Sequence, residues 1–141
     1  MGKGVHGMSK RVDNWGTLLN QYLIDRSLMP FSWGLNDCVM FAADWVELAT
    51  GERKISYVYR DALAGMRIVT DLGGLRAAVT SVMGDPYPTA RMADRGDIGI
   101  LSLPYKDKTI DCLGVIKGVE VATPGETRVV YNPRSALIAA W

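Results

Sequence analysis

Near residue 95 the spacing of apolar residues changes from that of helices to that of strands, and this change constrains the fold more than any other feature. Before it, Trp15, Leu18, Leu19, Tyr22 and Leu23 recur every three or four residues, which predicts a helix ending before Pro30, with Asp13 or Asn14 as its N-cap. A second helix is predicted from Asn36 or Asp37, carrying Phe41, Ala42, Trp45, Val46 and Ala49 inward and stopping at Gly51. Shorter helices are expected over 57–66 and over 72–84, where Leu72, Leu75, Val79 and Val82 share a side. After the change, 97–103, 109–118, 119–123, 127–132 and 136–141 read as short strands separated by Gly, Pro, Asp and Lys turns. Helices first and strands second indicate an α+β domain, its helices packed on one side of an antiparallel sheet.

A chain of 141 residues is long enough for one domain and too short for two ordinary ones. The expected division is a flexible N-terminal arm over 1–13, with Met8 as a possible working start, and a single domain over 14–141. A formal net charge of +1 gives no field arguing for nucleic acid or an anionic membrane as partner. No apolar run approaches the roughly 18–20 residues needed to cross a bilayer, and "MGKGVHGMSKR" lacks the apolar stretch of a secretory signal. Two cysteines, with no CxxC and no Cys/His cluster, suggest neither a disulfide scaffold nor a metal site, and no cofactor motif is present.

One of those cysteines, Cys38, lies in "FSWGLNDCVMFAADWV", where a glycine-bearing aromatic loop becomes a helix. A thiol in the first helical turn meets free backbone N–H groups and the positive end of the dipole, which favour the thiolate, and its own N–H can help bind an oxyanion. The bland alternative is a small buried residue facing the core.

The order of Trp33-Gly34, Asp37-Cys38, Phe41, a helix, then Arg95-Gly96-Asp97-Ile98 and Cys112-Leu113-Gly114-Val115 with Gly118 resembles the NlpC-type, papain-like cysteine peptidases that cut peptide bonds in peptidoglycan. Val39 and Met40 replace the Ser-Gly pair that follows the cysteine in that family. The closest likeness is to small proteins of this superfamily encoded in the tail gene clusters of long-tailed bacteriophages, through Trp33, Gly34, Trp45, Tyr59, Arg60 and Trp141. The resemblance implies a papain-like fold with Cys38 at the nucleophile position, Cys112 where the family has its histidine, and Thr123 near the third position. Phe31, Trp33, Gly34, Asp37 and Asp97 would line the cleft.

A thiolate nucleophile needs an imidazole to carry its proton, and the only histidine is His6, in the expected arm. Phe31 stands where the family often has an oxyanion-stabilising tyrosine, and it has no donor. The resemblance therefore implies a catalytically inactive structural or adaptor subunit of a phage tail tip, residing in the virion. Its partners would be other tail proteins such as the hub or the tube end, in a homo-oligomeric ring, with a trimer as the guess, and peptidoglycan would be a possible ligand. The rival is an active hydrolase cutting peptidoglycan crosslinks, with a base from His6, another subunit or a carboxylate such as Asp111. A weaker third reading is an inhibitor or immunity-type binding domain. On the resemblance, Cys38 and Cys112 would lie face to face, able to oxidise outside the cell.

Other features have structural readings. Arg95-Gly96-Asp97 is expected as a turn into a strand, with Asp97 a solvated turn carboxylate or a cap. Trp45 is expected in the core and Trp141 as an anchor of the last strand, leaving Trp33 as the groove residue. Gly73-Gly74 lacks the strand-before, helix-after context of a phosphate loop.

Overall fold

A computed structural model describes residues 10–141. Four helices precede a five-stranded sheet: α1 Trp15–Arg26, α2 Cys38–Thr50, α3 Ala62–Asp71, α4 Leu75–Met83, then β1 Ile98–Tyr105, β2 Lys108–Ile116, β3 Glu120–Pro124, β4 Val129–Pro133 and β5 Leu137–Ala140. All pairings are antiparallel, and the order β4-β3-β2-β1-β5 puts β2 in the middle. The fold is α+β, as the change of apolar period predicts.

The core lies between α2 and the sheet. Phe41, Ala42, Ala43, Trp45, Val46 and Ala49 of α2 are fully buried, against Ile98 and Ile100 of β1 and Leu113 and Val115 of β2. The alanines let the helix approach closely, while Trp45 also donates its indole N–H to the Gly96 carbonyl (2.8 Å) and so joins α2 to the start of β1. Trp141, likewise buried, donates its backbone N–H to Ile98 O (2.9 Å) and its indole N–H to Gly84 O (2.9 Å). Both tryptophans thus do the structural work expected of them.

Two expected helices start later than their apolar pattern suggests. Residues 57–61 are not helical, because the Asp61 carboxylate accepts the Ala64 N–H (2.9 Å) and caps α3 at that point. Gly73 and Gly74, both with positive φ, form the turn between α3 and α4, so α4 begins at Leu75.

The end of the expected arm also needs amending. Residues 1–9 lie outside the described residues, but Val12 donates its backbone N–H to Ala49 O (2.8 Å), and Arg11 pairs with Asp97. Asp97 is buried, contrary to a solvated turn carboxylate: Arg11, the Tyr87 hydroxyl (2.7 Å) and the Asp94 N–H (2.7 Å) all donate to it. Arg11 also bonds Arg95 O (3.0 Å) and stacks on Trp15 at 4.4 Å. Arg95-Gly96-Asp97 is a turn, as expected, with Gly96 N–H donated to Ile116 O (2.7 Å).

Burial pushes the Asp97 carboxyl above its ordinary value even though its three donors favour the charged form. Arg11→Met removes the cation, so the pKa of Asp97 in the fold rises further and the charged form becomes the unfavourable one. The variant is therefore expected to lose about 3 kcal/mol of stability at neutral pH. The deficit should shrink as the pH falls through the raised pKa and the carboxyl takes up a proton. Urea unfolding of wild type and variant across pH checks both the size and the sign.

Candidate functional site

The loop before α2 is built around two buried polar side chains. Asn36 accepts from Arg26 Nη1 (3.0 Å) and donates to the carbonyls of Met29 (3.2 Å) and Pro30 (3.0 Å), so its amide is satisfied on both sides. Its backbone N–H bonds Ser32 O (2.8 Å), folding 32–36 into a tight loop. Asp37, the N-cap of α2, accepts from the N–H groups of Met40 (2.9 Å) and Gly34 (2.8 Å) and from the Tyr59 hydroxyl (2.8 Å). The segment 34–40 and the distant Tyr59 thus converge on one carboxylate, and Cys38 is the residue it delivers at the first turn.

Tyr59 reaches Asp37 through a slot made by two glycines. At Gly34, with φ of +80°, a Cβ would run into the Tyr59 carbonyl; at Gly65, on α3, it would stand 3.0 Å from the Tyr59 ring. Burial, with help from the carboxylate it bonds and the Cys38 sulfur nearby, pushes the phenol up, so its proton stays in place at neutral pH.

Cys38 and Cys112 are adjacent, half-buried free thiols. Neighbouring Cys112 is the largest influence holding the Cys38 pKa below the ordinary thiol range. The N–H groups of Leu113 and Val39 act in the same direction, while burial and the charge of Asp37 oppose them. Cys112 shifts the other way: its bond to Cys38, burial, and the charges of Cys38 and Asp111 push it up. The two thiols shift in opposite directions, so Cys38 is the more easily ionised of the two.

Cys38 opens on a cleft of about 250 Å³. Asp37, Cys38 and Val39 line it together with Trp33, Tyr57, Tyr59, Met66, Val69, Leu75 and Asp111. Trp33 is 47% exposed, so a large aromatic face is available in the cleft that Cys38 lines.

The expected site residues divide into three groups. Cys38, Asp37 and Trp33 line the cleft, while Cys112 of β2 packs with Leu101, Ile116 and Val121. Gly34 and Phe31 support it from behind, Gly34 against Tyr59 and Phe31 edge-on to Trp33 at 4.9 Å. Thr123 and Asp97 do not line it. Thr123 is buried on β3, its hydroxyl accepting from Asn132 Nδ2 (3.0 Å). Asp97 belongs to the Arg11 cluster, beside Ile116, roughly 13 Å along β2 from Cys112. His6 is outside the described residues.

Tyr59 as a member of the site was not evident from the sequence, although the signal was present: Asp61 fixes the start of α3, and Gly34 and Gly65 leave room for a ring between them. Among the described residues no group of three or more His, Cys, Asp or Glu is placed to hold a metal ion, and no helix is long and apolar enough to cross a membrane.

Residues 10–141 match the model of a family described as a domain of unknown function, DUF6950. The chain belongs to that family. No curated protein and no solved structure matches it significantly.

The charge of Asp37 opposes ionisation of Cys38, so Asp37→Asn should move the alkylation of Cys38 by iodoacetamide to lower pH than in wild type. Because asparagine caps a helix but cannot accept both N–H bonds and the phenol, the same variant is expected to lose about 1–2 kcal/mol in urea unfolding.

Proposed function

We propose that this protein is a structural or adaptor component of a bacteriophage tail tip, built on an NlpC-type, papain-like scaffold whose hydrolytic chemistry has lapsed. One observation carries the inactive half of this reading: among the described residues no imidazole is present to serve the Cys38 thiol at the start of α2, as a hydrolase of this type requires. Cleaving a peptide bond requires a group that takes the nucleophile's proton and returns it to the leaving amine. Cys112 is pushed toward its neutral form, and no histidine lies among the described residues to replace it.

The tail assignment rests on the sequence likeness. The α+β order, the capped Asp37-Cys38 helix start and the central strand carrying Cys112 are compatible with that scaffold. Partners on this reading are the hub, the end of the tail tube or further copies of the chain around the tail axis, and the location is the virion.

A second reading is favoured by the depressed pKa of Cys38, which three donors support. On it, the protein is an active peptidoglycan hydrolase whose base comes from another chain or from a carboxylate such as Asp111 at the cleft rim.

Purified wild type incubated with peptidoglycan should release no soluble muropeptides, and immunogold labelling of phage particles should place the protein at the tail tip. Release that disappears in Cys38→Ala would overturn the inactive reading, and particles without label would overturn the tail assignment.

A further inference from the structure

Away from the Cys38 cleft, the short helical turns Ala90–Met92 and Arg134–Ala136 meet the start of β5 around another open hollow, of about 640 Å³. It shares no lining residue with the cleft. We propose that this hollow binds a small phosphate monoester, its phosphoryl group held by Arg91 and Arg134 and its organic part lying against Leu137 and Ile138. This inference is independent of the tail reading.

The charge of the hollow is one-sided. Among the described residues, two guanidiniums line it and no carboxylate does. Arg134 is half-buried, and it donates to the carbonyls of Gly118 (from Nη1, 3.1 Å), Arg91 (from Nη2, 3.4 Å) and Ala93 (from Nη2). These bonds fix the side chain in place, but carbonyls carry no net charge and take only three of its five N–H groups. Arg11 and Arg26, half-buried as well, each pair with a carboxylate, whereas Arg134 pairs with none among the described residues. A cation partly withdrawn from water without a counter-ion is costly, and an anion taken from solution removes that cost.

Arg91 supplies the second charge. Its guanidinium bonds to no described residue, and the same holds for the hydroxyls of Thr89 and Ser135, which complete the polar lining. Its carbonyl is one of those that hold Arg134, so the two residues are kept together by the backbone. Two guanidiniums and two hydroxyls match a phosphate monoester, with about two negative charges near neutral pH and three acceptor oxygens, better than a carboxylate with one charge and two oxygens. The volume exceeds what a phosphate group alone fills, and Ile138, 50% exposed, offers apolar surface beside the arginines.

The test is isothermal titration calorimetry of the full chain with phenyl phosphate, using benzoate and inorganic phosphate as comparison probes. Phenyl phosphate should bind at one site per chain, at least about tenfold more tightly than either comparison probe. Arg91→Ala removes a side chain that bonds to no described residue and should weaken phenyl phosphate at least about tenfold. Arg76→Ala, which removes an exposed arginine of α4 outside the hollow, should leave the affinity unchanged. In NMR spectra of wild type, phenyl phosphate should shift the Ile138 methyl and Ser135 amide resonances, a readout that decides the case even should a variant fail to fold. No binding, benzoate or inorganic phosphate bound as tightly, equal weakening by the two substitutions, or shifts confined to the Cys38 cleft would each overturn the proposal.

Discussion

The burial of α2 against β1 and β2 is the interaction on which the rest of the molecule depends. Six side chains of that helix are fully buried, and the small ones among them bring its axis close to the central strand. Close approach fixes everything at the two ends of the helix. Along it, the Trp45 indole reaches Gly96 and positions the turn into β1; at its start, the Asp37 cap fixes Cys38 in the first turn.

The parts of this arrangement that were legible in the sequence are those written in local patterns. The change of apolar period near residue 95 separates helices from strands, Asp37 and Gly51 mark the ends of α2, and the glycine before Asp97 marks a turn. What was not legible depends on contacts across the chain. Asp97 looks like a solvated turn residue until Arg11, 86 positions earlier, is seen to bury it. Arg11 itself lies in a stretch with no periodic pattern, so nothing local assigns it to the domain. Tyr59 is one tyrosine among six by composition, and only the glycine slot and the distant Asp37 carboxylate give it a place. Thr123 follows the same rule in reverse: its position on β3 follows from the strand pattern, yet its hydroxyl is engaged by Asn132 of the neighbouring strand instead of the cleft.

The electrostatics around Cys38 show how a site can keep part of a reactive arrangement. Forming a thiolate requires donors around the sulfur, and these come from the helix start and from β2, both of which packing maintains for its own reasons. Asp37 works against the thiolate, since a carboxylate one residue away repels it, but the same carboxylate is indispensable as a cap. The lowered pKa is the net result of groups that packing holds in place.

A thiolate made in this way is selective about what it can cleave, because the leaving group decides whether an acid is needed. An amine expelled from a peptide bond must receive a proton in or before the step that releases it. Cys112 could give one only by becoming a second anion beside Cys38 and Asp111, the arrangement that pushes its pKa up in the first place. A thiolate expelled from a disulfide is stable enough near neutral pH to leave without that help.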